Sequence, residues 1–232
     1  MLRTELVTTR AKSALKAVAG RGRAHAGSRT SIAACNEDGQ RATYRRGEEL
    51  FGEGDAAEHV FTLLSGCIRL VKLLGDGSRQ ICTFIMPGQL TGQTIAADYA
   101  FSAEAVDDCV VIRQRRDAIE ARIASDPAFA AAMRAAAANE LQNAYDRMVF
   151  VCRRPAAARV AWFLLVMRGC AANDTFRLPM SRADIADYLG MALETASRAF
   201  TELKRRKAIA QPNASVVTLL DRELARHIAE TA

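Results

Sequence analysis

Leu178-Pro-Met-Ser-Arg-Ala-Asp-Ile-Ala-Asp-Tyr-Leu-Gly-Met-Ala-Leu-Glu-Thr-Ala-Ser-Arg-Ala-Phe-Thr-Glu-Leu-Lys-Arg-Arg-Lys207 is the stretch that decides the fold. Ser181 can cap the start of a helix that carries Asp184 in its first turns. Ile185 and Leu189 share one face at i, i+4. Gly190 permits a left-handed residue, which lets two helices meet at a steep angle. Ala186, four residues earlier, is small enough for close helix contact. The spacing predicts a second helix from about Ala192 to Arg206, with Ala196, Ala199, Phe200 and Leu203 turned inward. Its outer face then carries Glu194, Thr195, Ser197 and Arg198 at the N-terminal end. Polar side chains there are what a recognition helix presents to the major groove. A structural helical hairpin with a solvated charged face is the alternative, and the upstream sequence decides between them.

Working upstream, Pro155–Arg168 reads as an apolar helix ended by Gly169. Before it, Ser125-Asp126-Pro127 offers a helix start with Pro in the first turn. No further Gly or Pro follows until Pro155, so one helix of about 39 Å is expected over 126–152. Met133, Ala137, Leu141, Ala144, Met148 and Val151 recur at heptad-like spacing along it. Such a stripe needs a partner: either the protein's own upstream domain or the same helix of a second copy. Between residues 42 and 113 short runs of β-formers alternate with Gly. His59–Leu64 stops at Ser65-Gly66, and Cys67–Leu74 runs into Gly75-Asp76-Gly77, a strong hairpin signal. Arg79–Ile85 stops at Pro87-Gly88, and Asp108–Arg113 closes a series that suggests a barrel or roll. Downstream, Gln211-Pro-Asn-Ala214 is expected to be the turn of a wing hairpin between Ile209 and Val216–Thr218, and Asp221 to cap a last short helix.

Charge divides along the same lines. The 232-residue chain carries a formal +6, with a net +7 over residues 1–46, −6 over 47–152 and +5 over 153–232. A basic C-terminal unit behind an acidic middle suits nucleic acid as its partner. No apolar run approaches the roughly 18 residues of a membrane span. The three histidines and six cysteines are scattered, with no Cys-x-x-Cys and no His-Glu-x-x-His. Zinc hydrolysis, iron–sulfur chemistry and a disulfide scaffold therefore have little support. No Gly-x-Ser-x-Gly or phosphate-binding Gly-rich loop points to an enzyme. Residues 1–40, rich in Arg, Ala, Thr and Ser, read as a flexible basic arm rather than a targeting segment.

With these residues in place, the chain resembles the CRP/FNR superfamily of bacterial transcription regulators over about residues 42–230. Glu194-Thr-x-Ser-Arg198 and Gly52-Glu-Gly-Asp55…Leu64-Ser-Gly66 carry the resemblance most specifically. Leu178-Pro-Met-Ser-Arg-x-Asp-Ile…Tyr188-Leu-Gly…Leu193-Glu-Thr is most similar to the FixK-like branch. The resemblance implies an α+β chain: a cyclic-nucleotide-binding-type β-roll over 41–125, a dimerisation helix over 126–152 and a winged helix-turn-helix over 153–232. It implies a cytoplasmic homodimer that binds double-stranded DNA, contacts RNA polymerase and acts as an activator. Asp76 in the hairpin loop is a candidate for the polymerase contact.

Members that bind a cyclic nucleotide place an Arg against its phosphate after an acidic turn. Here Gly92-Gln93-Thr94 replaces that turn, and no Lys or Arg lies between Arg79 and Arg113. Oxygen-sensing members carry close N-terminal cysteines, whereas this arm holds Cys35 alone. No cofactor is therefore expected. A roll gated by an unrecognised effector or by thiol oxidation is the alternative. For base reading, Glu194 can accept from the cytosine amine, Arg198 can donate to guanine or phosphate, and Leu193 can pack on a thymine methyl. With Ser197 at the FNR-like position, a TTGA-type inverted repeat is expected. Thr195 completes this face. Lys204 and Arg205 are expected on phosphate, although cations also favour a helix C-terminus on their own account. The expected dimer interface is Met133, Leu141, Ala144, Met148 and Val151.

Overall fold

The computed structural model describes residues 39–231. The expected arm, with Cys35, lies outside these residues except for its last two, and Gln40 already begins the first strand. Eight strands build the roll: β1 (Gln40–Tyr44), β2 (Glu49–Phe51), β3 (His59–Ser65), β4 (Ile68–Leu73), β5 (Arg79–Ile85), β6 (Leu90–Thr91), β7 (Ser102–Ala105) and β8 (Cys109–Arg115). They form two antiparallel sheets in the orders β1-β8-β3-β6 and β2-β7-β4-β5. Between them lies a core of Phe51, Phe61, Leu63, Ile68, Ile85, Tyr99 and Val111. Phe51 stacks on Tyr99 with ring centroids 3.9 Å apart. The β4–β5 hairpin turns where Asp76-Gly77 predicts it, with Gly77 at φ 81° and Leu74 N–H donating to the Ser78 carbonyl.

β4 is buried on both faces. By strand alternation Ile68 and Leu70 point to the roll core, and Arg69 and Val71 point outward. On β5 the register slips by one, because Leu70 faces Thr83 while Val71 faces Ile81, leaving Cys82 as the extra residue. This bulge lets both Ile81 and Phe84 join the outer cluster.

Two helices follow: α1 (Arg116–Ser125) and the 27-residue α2 (Pro127–Arg153). Asp126 caps α2 by accepting from the Ala128 and Phe129 N–H groups, both at 3.0 Å, with Pro127 in the first turn. At its start α2 packs on the roll through Phe129, together with Val60 and Ile119. The rest of the chain is α3 (Ala156–Gly169), β9 (Thr175–Arg177), α4 (Arg182–Leu189), α5 (Leu193–Arg205), β10 (Ile209–Asn213), β11 (Val216–Leu219) and α6 (Arg222–Thr231). β10, β11 and β9 form the wing sheet in that order. Asp221 caps α6 through the Leu224 N–H, as expected.

One expectation needs correction. The wing turn is not Gln211–Ala214: β10 continues through Pro212 to Asn213, and the turn is at Ala214-Ser215. β10 is an edge strand with its register broken between Ala210 and Asn213, so the missing Pro212 N–H costs no ladder bond. Along α2 the expected seam residues differ in exposure. Met133 is half-buried in a cluster with Val60 of the roll, Ile119 of α1 and Phe129 of its own helix. Val151 is half-buried beside Gly190, where an added Cβ would lie 3.3 Å from its Cγ1. Leu141, Ala144 and Met148 are exposed, and Tyr145 and Val149 join them on an unpartnered apolar stretch.

Candidate nucleic-acid interface

The helix-turn-helix is assembled by short-range rules. Ser181 and Asp184 form a capping box at the start of α4: Asp184 N–H donates to Ser181 Oγ, and Asp184 Oδ2 accepts from Ser181 N–H and Oγ–H. Gly190 ends α4 at φ 61° and ψ 49°. Arg159 of α3 reaches over and donates to the Leu189 and Gly190 carbonyls at 3.2 and 3.3 Å. A cation on the last carbonyls of a helix meets both their unused lone pairs and the negative end of the dipole.

α5 buries Ala196, Ala199, Phe200 and Leu203, all four residues expected inward. Its opposite face is open. Leu193 is 45% exposed, and Glu194, Thr195, Ser197, Arg198, Lys204 and Arg205 are exposed with it. Among the described residues, none of these polar side chains forms a hydrogen bond or ion pair, even though Glu194 and Arg198 stand at i, i+4. Ala192 precedes α5 without a side-chain cap, which leaves first-turn N–H groups open to water or to a phosphate oxygen. Arg206 pairs with Glu202 at 3.5 Å, so the last-turn cations are not equivalent.

Several contributing residues carry no local sequence signal. Arg182 lies over the Phe200 ring at 3.2 Å and donates to Gln211 Oε1 of β10 at 3.0 Å, linking α4, α5 and the wing. Burial pushes its guanidinium down to about 10. It remains a cation at neutral pH. On the roll side, Arg69 and Arg79 both bond Asp184 Oδ1, at 2.8 and 3.0 Å. Burial raises the Asp184 carboxyl, but hydrogen bonds from Ser181 and the two arginines outweigh it and hold the group below the ordinary carboxylate range.

Arg79 is thus turned toward α4 instead of the roll interior. One further cation lies nearby. Lys72 sits 5.6 Å over the Phe101 ring, with its ammonium on Glu53 Oε1 and the Ala100 carbonyl. Burial pushes the Cys67 thiol well up and the Cys109 thiol to about 11, so neither is a reactive thiolate. No helix among the described residues is long and apolar enough to cross a membrane.

Residues 41–126 match the cyclic nucleotide-binding domain model, and residues 158–226 match the Crp-like helix-turn-helix domain model. The nitrogen fixation regulation protein FixK of Azorhizobium caulinodans is 40% identical over 196 residues, covering 82% of this chain and 79% of that protein. The transcriptional activatory protein AadR of Rhodopseudomonas palustris is 39% identical over 175 residues, 73% of each. Among solved structures, FixK2 from Bradyrhizobium japonicum superposes with a TM-score of 0.80 at 37% identity, covering 84% of this chain and 98% of that one. These relatives are regulators rather than enzymes. The expected order of roll, long helix and winged helix-turn-helix is the order observed, and the chain belongs to the CRP/FNR family of DNA-binding transcription regulators, with FixK proteins among its relatives.

Proposed function

We propose that the chain is a cytoplasmic, homodimeric transcription activator that reads a TTGA-type inverted repeat through α5 and needs no small-molecule cofactor. The observation that carries this reading is the open face of α5. Leu193, Glu194, Ser197 and Arg198 are exposed and uncommitted, while the opposite face is fully buried. A carboxylate and a guanidinium with no internal partner are available to base edges, and the apolar Leu193 suits a thymine methyl. Lys204 and Arg205, exposed one and a half turns or more further on, supply phosphate contacts. The partner for the second half-site is another copy, docked through the exposed stretch of α2 at Leu141, Ala144, Tyr145, Met148 and Val149. Leu141 and Met148 are 53% and 55% exposed, which a lone helix in water does not favour.

The cofactor-free part rests on the missing cations between Arg79 and Arg113 and on the commitment of Arg79 to α4. A cyclic phosphate brought into the roll would meet no free guanidinium from that stretch. The test is a gel-shift titration of purified protein with a TTGA palindrome, with and without cyclic AMP. Specific binding that cyclic AMP leaves unchanged supports the reading. No preference over random DNA refutes the base-reading assignment, and a cyclic-AMP-dependent gain refutes the cofactor-free part.

A further inference from the structure

α4 is gripped from two sides. One side carries α5. The other faces the outer surface of the roll, where the β5 bulge presents Phe84 to Tyr188 and Phe163 at ring distances of 5.2 and 6.3 Å. Around this apolar contact runs a chain of ion pairs. Arg69 of β4 binds Glu104 of its own sheet and Asp184 of α4. Arg79 of β5 binds Asp184 and Asp187, each at 3.0 Å. Gln80 donates its side-chain amide to the Asp187 carbonyl. At the far end, Arg177 of β9 reaches Asp107 of the roll at 3.1 Å. The two oxygens of Asp184 divide the work: Oδ2 caps α4, and Oδ1 takes both arginines.

We propose that Arg69 and Arg79 are positioning residues for DNA recognition: by holding Asp184 and Asp187 from the roll, they fix the angle at which each protomer presents α5. Aromatic rings at 5–6 Å can slide past one another at little cost, whereas charge-assisted hydrogen bonds from a planar guanidinium are directional. In a part-buried ion-pair cluster desolvation offsets much of the attraction, so in this proposal its role is to select the arrangement rather than to add net stability. The effect is felt in the dimer. Two recognition helices bind an inverted repeat as a bivalent ligand, and bivalent gain is lost when geometry forbids simultaneous engagement.

This inference rests on the proposed reading of a TTGA inverted repeat, and the experiment separates the two. Fluorescence anisotropy would measure binding of wild type, Arg79→Met, Arg79→Lys, Asp187→Asn and the Arg79→Met/Asp187→Asn double variant. Three DNAs are used: the palindrome, a duplex with one TTGA half-site, and a scrambled duplex. Arg79→Met is expected to lose about tenfold on the palindrome while its half-site affinity and salt dependence hold. Arg79→Lys should recover most of the loss, and the double variant should be no worse than the worse single one. Equal losses on palindrome and half-site would overturn the proposal, because that is what a merely weakened domain produces. A salt slope lower by about one would overturn it by making Arg79 a phosphate contact. A gain in palindrome affinity would overturn it by showing that the tie holds α5 away. If wild type does not prefer the palindrome to scrambled DNA, the proposed function itself fails.

Discussion

Glu194→Ala tests the recognition helix most directly. The side chain is exposed and has no partner among the described residues, so its removal breaks no internal hydrogen bond. It does delete the acidic residue from the first turn of α5, which costs about 0.3–1 kcal/mol of helix stability through the dipole. The main loss falls on DNA. A good side-chain contact to a base edge discriminates by about 1–3 kcal/mol. A symmetric dimer on a palindrome loses it twice, about 2–6 kcal/mol in all. At about 1.4 kcal/mol per decade, affinity for the palindrome falls by about 30-fold to about 10⁴-fold. Binding to scrambled DNA depends on Lys and Arg at phosphates and stays level or rises slightly, since a carboxylate has left the interface. Competition anisotropy at several salt concentrations reads both quantities. The specific-to-nonspecific ratio collapses while the salt slope is unchanged. An unchanged ratio would show that α5 does not read bases through this residue.

Leu141→Asp places a charge on the exposed stretch of α2; sedimentation velocity should show monomers whose unfolding midpoint no longer depends on protein concentration, whereas Met133→Ala, packed on Val60 of the roll, should lower the midpoint and leave the dimer intact. The reverse pattern would reassign the seam. Gly190→Ala forces a Cβ into a left-handed residue and 3.3 Å from Val151 Cγ1, so denaturant unfolding should show a loss of about 1–2 kcal/mol; an unshifted midpoint would mean that the turn can open without cost. The Asp184 carboxyl titrates below its unfolded value of about 3.9. Its contribution is therefore present above that pH and lost as pH falls through the lower folded value. Thermal unfolding curves of wild type and Asp184→Asn should differ at neutral pH and converge below about pH 4; a constant gap in acid would show that the charge on Asp184 is not what matters.

What could be read from sequence was local. Ser181, Gly190 and the inward set on α5 obey rules spanning three or four residues, so their positions follow from spacing alone. The Asp76-Gly77 hairpin and the Asp126-Pro127 helix start are of the same kind. The contacts that join the units are not. Arg69 and Asp184 are 115 positions apart, and Arg177 and Asp107 are 70 apart. No periodicity marks them, because an arginine on an outer strand face looks like any solvated cation until another domain covers it. Pro212 lies in a strand and not a turn for a related reason. A proline suggests a turn, but an edge strand has a side on which an N–H is not needed. Tyr145 and Val149 lie on the stripe beside the heptad positions. In an Ala-rich helix, several stripes of similar hydropathy compete.

On the proposed cofactor-free reading, the tie between roll and α4 also takes the place of an effector. A ligand shifts a conformational equilibrium only by the difference in its affinity for the two states. Where no ligand supplies that difference, the competent arrangement must already be populated by contacts within the protein, since apparent affinity falls in proportion to the competent fraction. The apolar contact of Phe84 with Tyr188 and Phe163 joins the units, and a non-directional contact constrains their angle less than directional hydrogen bonds do. The ion pairs of Asp184 and Asp187 narrow it. Asp184 also caps α4, so the carboxylate that starts the helix-turn-helix is the one that orients it. Loosening the start of α4 would loosen the tie to the roll, and both would reach α5 through the same helix. An effector-free regulator would then keep its recognition helix in place with the residues that fold it.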